Sequence, residues 1–452
     1  MSFHRKSKLT GGEKTMDEKI AKKLHPETLM MGYGYKPELS EGALKAPIFQ
    51  TSTFVFKSAE EGKEFFELAY GQREKGPTEE IGLIYSRINN PDVEILENRL
   101  AVLDGAEEAA GFESGMAAIS TVLLEFLKPG DLLLHSRPLY GGTDHFITHV
   151  LTRYGINVLP FTANDSADDI RMKVKNSGLA NKLSMIYLET PGNPTCAMID
   201  LEMCVQLAKE FSTKERRVVT AVDNTFLGPL WQHPLKFGID LVIYSATKYI
   251  GGHSDVVAGS CAGKAQLVKR IKTLRTFLGN MADAWTAWLL MRSLETLKVR
   301  MDCQDRNAEV IAGFLQRHPM VERIYYAGLL KEGCSQDVIF KKQCTNAGAM
   351  LTFDIKGGRN EAYKFLNSLK VIHLAVSLGG TESLAEHPGT MTHIDVDPEE
   401  RRALGISDKM VRLSVGIENV EDLIWDLDQA LAAASVKSTV GSKPQSILEH
   451  SS

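Results

Sequence analysis

Ser245-Ala246-Thr247-Lys248-Tyr249-Ile250-Gly251-Gly252-His253 follows directly on the apolar run Asp240-Leu241-Val242-Ile243-Tyr244. One lysine therefore stands where a buried strand gives way to a loop, with two hydroxyl residues before it and a Gly-Gly turn behind it. An amine held there is poorly solvated, so its pKa falls and it attacks a carbonyl as a neutral nucleophile. The neighbouring hydroxyls of Ser245 and Thr247 suit an anion such as a phosphate. A lone Ser-x-Thr-Lys is more often an ordinary surface lysine after a strand, so the reading depends on what accompanies it.

Its companion lies upstream. Val218-Val219-Thr220-Ala221-Val222-Asp223-Asn224-Thr225 reads as a second apolar strand ending in an aspartate, with a short crossover from Pro229 to Gly238 before the lysine strand. In a parallel sheet this sets Asp223 and Lys248 together at the carboxyl edge, where open α/β sheets bind ligands. A third strand, Leu183 to Glu189, ends in the turn Thr190-Pro191-Gly192-Asn193-Pro194-Thr195. A pyridinium cofactor needs a carboxylate at its ring nitrogen, so that the protonated ring can act as an electron sink. Lysine, hydroxyls and aspartate together describe a site for pyridoxal 5'-phosphate held on Lys248.

With these motifs in this order, the chain resembles the Cys/Met-metabolism family of pyridoxal-phosphate enzymes. This fold-type I group includes cystathionine γ-synthase, cystathionine γ-lyase, methionine γ-lyase and O-acylhomoserine sulfhydrylase. The resemblance runs from about Gly42 to Ala432. It implies an α/β fold of the fold-type I PLP-dependent transferase kind, with a mainly parallel central sheet, a smaller C-terminal α/β domain and an N-terminal arm. It also implies that Lys248 binds the cofactor covalently, that Asp223 partners the ring nitrogen, that Ser245 and Thr247 hold the phosphate, and that Asn193 contacts the ring hydroxyl.

Other segments carry the same resemblance and have physical readings of their own. In Phe112-Glu113-Ser114-Gly115-Met116-Ala117-Ala118-Ile119 a glycine opens an apolar-periodic helix. The free N–H groups of such a start, at Ser114, Gly115 and Met116, bind phosphate, although a plain strand-to-helix turn looks the same. In Leu139-Tyr140-Gly141-Gly142-Thr143, Tyr140 matches the tyrosine that stacks on the cofactor ring and shuttles a proton to the leaving group. Tyr85-Ser86-Arg87 matches a Tyr-x-Arg element that reaches the phosphate of a neighbouring subunit, which implies shared sites and a homotetramer built as a dimer of dimers. Val376, Ser377 and Arg412 match the pieces around the substrate and its α-carboxylate. For Arg412, a strand arginine with a structural ion partner is the alternative.

Composition frames these motifs. The 452 residues are 43% hydrophobic and 24% charged, enough for two cored domains with extensions. A net charge of −5, without a basic stripe, disfavours nucleic-acid binding. Six cysteines without Cys-x-x-Cys or zinc spacing read as free thiols in a reducing cytoplasm, and no metal site is expected. No stretch is long enough to span a bilayer. The basic N-terminus lacks an apolar core, so it is no secretory signal, and Met16 is an alternative start. Gly259 to Ala265 is one residue short of a P-loop, and His145 and His149 lack the glutamate of a zinc-protease helix.

The expected organisation is an arm over 1–89, a cofactor-binding large domain over 90–298, a small domain over 299–434 and a disordered tail over 435–452. Within the arm, Glu60 to Glu79 reads as a charge-rich solvated loop. Asn90-Pro91 caps a helix ended by Gly105, and a long helical stretch spans about Ala282 to Phe314.

The resemblance implies a substrate that is a sulfur amino acid or an O-acylhomoserine. Lys248 removes the α-proton and Tyr140 protonates the departing γ-substituent. Cystathionine-cleaving members carry a glutamate where this chain has Val376, which favours a distal S-methyl or acyl group. Many methionine γ-lyases carry a cysteine where this chain has Gly142, a glycine that reads as leaving room beside Tyr140. The leading expectation is γ-elimination at a C–S bond, converting methionine to methanethiol, 2-oxobutanoate and ammonia. γ-Replacement on an O-acylhomoserine is the alternative, and a cofactor-free binding protein is the reading from a different class.

Overall fold

The computed structural model describes residues 23–74, 76 and 82–435. Its larger sheet holds seven strands: β1 (Glu108–Phe112), β2 (Leu132–Arg137), β3 (Asn157–Thr162), β4 (Leu183–Glu189), β5 (Val219–Asp223), β6 (Leu241–Tyr244) and β7 (Gly259–Gly263). They lie in the order β1-β7-β6-β5-β4-β2-β3. Only β7 runs against its neighbours; the other pairings are parallel. Every residue of β2, β4, β5 and β6 is buried. That is the pattern of a parallel sheet covered on both faces, and it explains continuous apolar runs where alternation would mark a half-wet strand.

The helices form where the chain supplies caps. Asn90 accepts from the Asp92 amide, Pro91 takes the first helical position, and Gly105 closes the helix Pro91–Asp104 in the left-handed conformation. Ser114 caps the helix Gly115–Phe126 by accepting from the Ala117 amide at 3.0 Å. The stretch expected near 282–314 divides into Ala284–Leu294 and Leu297–Arg317, the first capped by Asp283.

A second sheet holds β8 (Val321–Tyr325), β9 (Met350–Ile355), β10 (His373–Leu374), β11 (Leu384–Glu386) and β12 (Met410–Ser414), in the order β10-β11-β12-β9-β8. Glu386 on β11 lies opposite Arg412 on β12 in the register, so the pairing delivers a carboxylate to that arginine.

The arm corrects one expectation. Residues Ala59–Ala69 form a helix, not a solvated loop. Ser58 accepts from the Glu61 amide, Glu61 accepts in turn from the Lys57 amide, and Glu60 and Glu61 sit in the first turn, where negative charge stabilises a helix. Phe56 packs edge-on against Phe65 with ring centroids 6.0 Å apart. Leu29 and Met30 are buried in the main core. Of the tail expected over 435–452, Ser435 ends the helix Val420–Ser435, and the rest lies outside the described residues with the basic start and Met16. Among the described residues no helix is long and apolar enough to cross a membrane.

Candidate active site

Glu189, Asp223 and the loop carrying Lys248 lie at the carboxyl ends of the adjacent strands β4, β5 and β6. Asp223 is buried, and its Oδ1 accepts from the Thr225 amide at 3.0 Å and the Thr225 hydroxyl at 2.6 Å. The same hydroxyl accepts from the Ser245 amide at 2.9 Å, tying the aspartate to the lysine loop. Burial raises the Asp223 pKa. Burial also raises Glu189 well above the carboxylate range, and the neighbouring Asp223 adds to it. Two buried carboxylates side by side leave the pair short of positive charge.

Lys248 Nζ donates to the Ser377 hydroxyl at 2.7 Å. Desolvation, with a smaller repulsion from Arg412, lowers its pKa to about 8, against a modest opposing pull from Glu386. Ser377 itself holds φ at +97°, an uncommon conformation for a residue with a Cβ. Its carbonyl accepts from Arg412 Nη2 at 3.0 Å. Two residues on, a Cβ at Gly379 would lie 2.7 Å from the Tyr249 amide, so this turn approaches the lysine loop too closely for any side chain there.

Arg412 is buried and fully engaged on one side. Nη1 pairs with Glu386 Oε1 at 2.8 Å and donates to Asn193 Oδ1 at 3.1 Å. Nε and one Nη2 hydrogen keep no partner among the described residues. The structural ion partner considered for this arginine is therefore present, and it coexists with free donors toward a ligand. Asn193 and Tyr140 are held by one carboxylate: Glu189 Oε1 accepts from the Asn193 amide at 2.9 Å, and Oε2 from the Tyr140 amide at 2.8 Å. Tyr140 is 41% exposed. A Cβ at Gly142 would meet the Tyr140 ring at 2.7 Å, so the room expected beside Tyr140 is taken by its own ring.

The expected phosphate pocket assembles as a cradle. A Cβ on Gly115 would lie 2.8 Å from Ser245 Cβ, and one on Gly259 would lie 2.1 Å from the Ser114 carbonyl. The helix start at Ser114, Gly115 and Met116 therefore sits against Ser245 with no side chain between. Ser245 keeps its hydroxyl unpartnered among the described residues. Thr247 differs, because its hydroxyl donates to the Ala258 carbonyl at 3.1 Å and accepts from the Ala258 amide at 2.9 Å. Tyr85 and Arg87 make other contacts. Arg87 Nη1 donates to the Thr276 carbonyl at 2.8 Å, and its guanidinium lies 5.6 Å from the Tyr85 ring centroid. No hydrogen bond or ion pair among the described residues joins either to Lys248. Val376, beside Ser377, is 52% exposed.

Sequence reading missed Glu386, Thr225, Thr392 and His393. Glu386-His387-Pro388-Gly389-Thr390-Met391-Thr392-His393 was legible only as an unusual run of polar residues next to a proline. No periodicity signals that it is buried.

Pyridoxal 5'-phosphate fits these residues. A desolvated amine suits its aldehyde, a helix start beside a free serine hydroxyl suits its phosphate, and Asp223 Oδ2, unpartnered among the described residues, suits a protonated ring nitrogen. The positive ring would also relieve the carboxylate crowding of Asp223 and Glu189.

Comparison with known proteins agrees. The chain is 42% identical over 392 residues to an L-methionine gamma-lyase of Fusobacterium nucleatum subsp. polymorphum, covering 86% of this chain and 94% of that protein. It is 40% identical to a human cystathionine gamma-lyase, over 80% of this chain and 86% of the other. A crystal structure of cystathionine gamma synthase from Xanthomonas oryzae pv. oryzae in complex with cystathionine superposes with a TM-score of 0.79 at 33% identity, over 91% and 98% of the two chains. The profile described as Cys/Met metabolism PLP-dependent enzyme matches residues 27–432, beginning ahead of Gly42. The chain therefore belongs to the Cys/Met-metabolism family of PLP-dependent enzymes.

Proposed function

We propose that this protein is a carbon–sulfur lyase acting on L-methionine, releasing methanethiol, 2-oxobutanoate and ammonia by γ-elimination. Val376 carries the substrate choice. It adjoins the serine that touches Lys248 and offers an apolar surface, with no charge for a distal ammonium to pair with. The L-methionine gamma-lyase relatives support the same reading.

The cofactor, once bound, supplies the electron sink that acidifies the substrate's α-proton and lets the γ-substituent depart. The rest falls to this chain's side chains. Arg412, fixed by Glu386, Asn193 and the Ser377 carbonyl, turns its free Nε–H and Nη2–H to the α-carboxylate. The Ser377 hydroxyl orients the Lys248 amine, whose lowered pKa leaves it able to take the α-proton near neutral pH. Asp223, its Oδ1 held by Thr225, offers Oδ2 to the ring nitrogen. Tyr140, anchored by its backbone to Glu189, hands a proton to the departing thiolate.

Arg87 supports a shared assembly. Ser245 and the helix start provide no cation for a phosphate, and no hydrogen bond or ion pair among the described residues joins Arg87 to them. In this reading Tyr85 and Arg87 serve a second copy, the assembly is a homotetramer of two such dimers, and it works in the cytoplasm, where six free cysteines are stable. The large domain spans 90–298 and the small domain 299–434.

Gly142 favours a second reading, because methionine-cleaving members of the family often carry cysteine there. In that reading the enzyme performs γ-replacement on an O-acylhomoserine. One experiment separates the two: incubate the enzyme with L-methionine alone, then with an O-acylhomoserine and a thiol, and quantify methanethiol, 2-oxobutanoate and thioether. Equimolar methanethiol and 2-oxobutanoate from methionine support the lyase. Thioether formation with inert methionine supports replacement.

A further inference from the structure

After β11 the chain crosses from the small sheet and lies over the loops of the large one. The Thr392 carbonyl comes within 2.0 Å of where a Cβ on Gly141 would be, so the two backbones touch. Glu400 pairs with Arg137, and Arg401 Nη1 donates to the carbonyls of His393 and Val396, each at 3.2 Å. At the centre of this strap sits His393, 1% exposed. Its Nε2 lies 3.1 Å from the Leu139 carbonyl and 3.2 Å from the Asn193 carbonyl. Carbonyl oxygens only accept, so Nε2 carries the hydrogen. Nδ1 faces the Thr392 hydroxyl at 3.0 Å, and that hydroxyl also lies 2.9 Å from Glu386 Oε1. Burial, with Arg412 and Arg401 nearby, holds the ring pKa at about 4, so the imidazole stays neutral at working pH.

Leu139 immediately precedes Tyr140, so one N–H bridges the loop of the proton-shuttling tyrosine and the turn of Asn193. We propose that His393 is a positioning residue that fixes the spacing of these two segments. This deepens the enzymatic reading above and rests on it. An apolar side chain of similar size would fill the space yet leave two buried carbonyls unpaired and the loops free to separate. Small misplacements of reacting groups cost up to about a hundredfold in rate.

The test uses holoenzymes carrying His393→Gln, His393→Asn and His393→Leu. A glutamine amide reaches the Nε2 position, an asparagine amide only the Nδ1 position, and leucine donates nothing. Three readouts are followed: hydrogen exchange in residues 138–145 and 190–196, visible circular dichroism of the bound cofactor, and kcat with KM. Leu and Asn are expected to speed exchange in both segments, alter the dichroism and lower kcat by about ten- to a hundredfold, with KM changed less than about threefold. Gln should restore most of each. The first two readouts need no substrate, so a wrong substrate assignment leaves them intact. Equal behaviour of Gln, Asn and Leu, or wild-type exchange in the Leu variant, would overturn the proposal. If Leu fails to fold, the Gln–Asn pair decides, and failure of Asn as well would assign His393 to folding alone and overturn it.

Discussion

Lys248 draws its chemistry from where it stands. An ordinary lysine titrates near 10.4 and is almost wholly charged at pH 8, whereas burial brings this one to about 8. Only the neutral amine attacks an aldehyde, so capture of pyridoxal phosphate by the apoenzyme should accelerate as pH rises through about 8 and then level off. Stopped-flow absorbance measures this. Lys248→Ala should show no such phase and no turnover while remaining folded, and a reducible covalent adduct in that variant would refute the assignment. Val376 makes a second prediction. A charge-assisted hydrogen bond is worth about 1.5–3 kcal/mol, so Val376→Glu should shift the kcat/KM ratio toward cystathionine by about ten- to a hundredfold. An unchanged ratio would remove Val376 from the specificity argument.

The secondary-structure elements place these groups, and much of that placement was legible. Apolar runs ending in Glu189, Asp223 and Lys248 announced parallel strands with a shared carboxyl edge, because a doubly covered strand shows itself in composition. Turn chemistry announced the Asn90 cap and the Gly105 stop. The strap was not legible: Glu386, Thr392 and His393 act through partners distant in sequence, and only the folded register sets Glu386 opposite Arg412. Close backbone approach was equally silent. A Cβ at Gly259 would sit 2.1 Å from the Ser114 carbonyl, which means β7 carries glycine so that the helix Gly115–Phe126 can begin there. Gly259→Ala should push that helix start outward. The expected result is about tenfold weaker cofactor binding and a loss of about 1–3 kcal/mol, read by titrating the apoenzyme and by denaturant unfolding. Wild-type affinity in that variant would mean that the helix start does not hold the phosphate.

At the scale of the whole molecule, two sheets meet over one site, and no hydrogen bond or ion pair among the described residues ties Tyr85 or Arg87 to Lys248. Shared sites make a sharp prediction. Mixing inactive Arg87→Ala with inactive Lys248→Ala protein should restore activity in hybrid dimers, each of which has one site with both native residues. No recovery after proven subunit exchange would count against a shared site. The arm's helix was misjudged from sequence because its charges were weighed and its Ser58 cap and Phe56–Phe65 contact were not. The central claim, γ-elimination from a substrate with an apolar distal end, is tested most directly by kcat/KM for 2-oxobutanoate release from L-methionine and L-cystathionine under identical conditions. A higher value for methionine is predicted, and a cystathionine value equal to or above it would contradict the account.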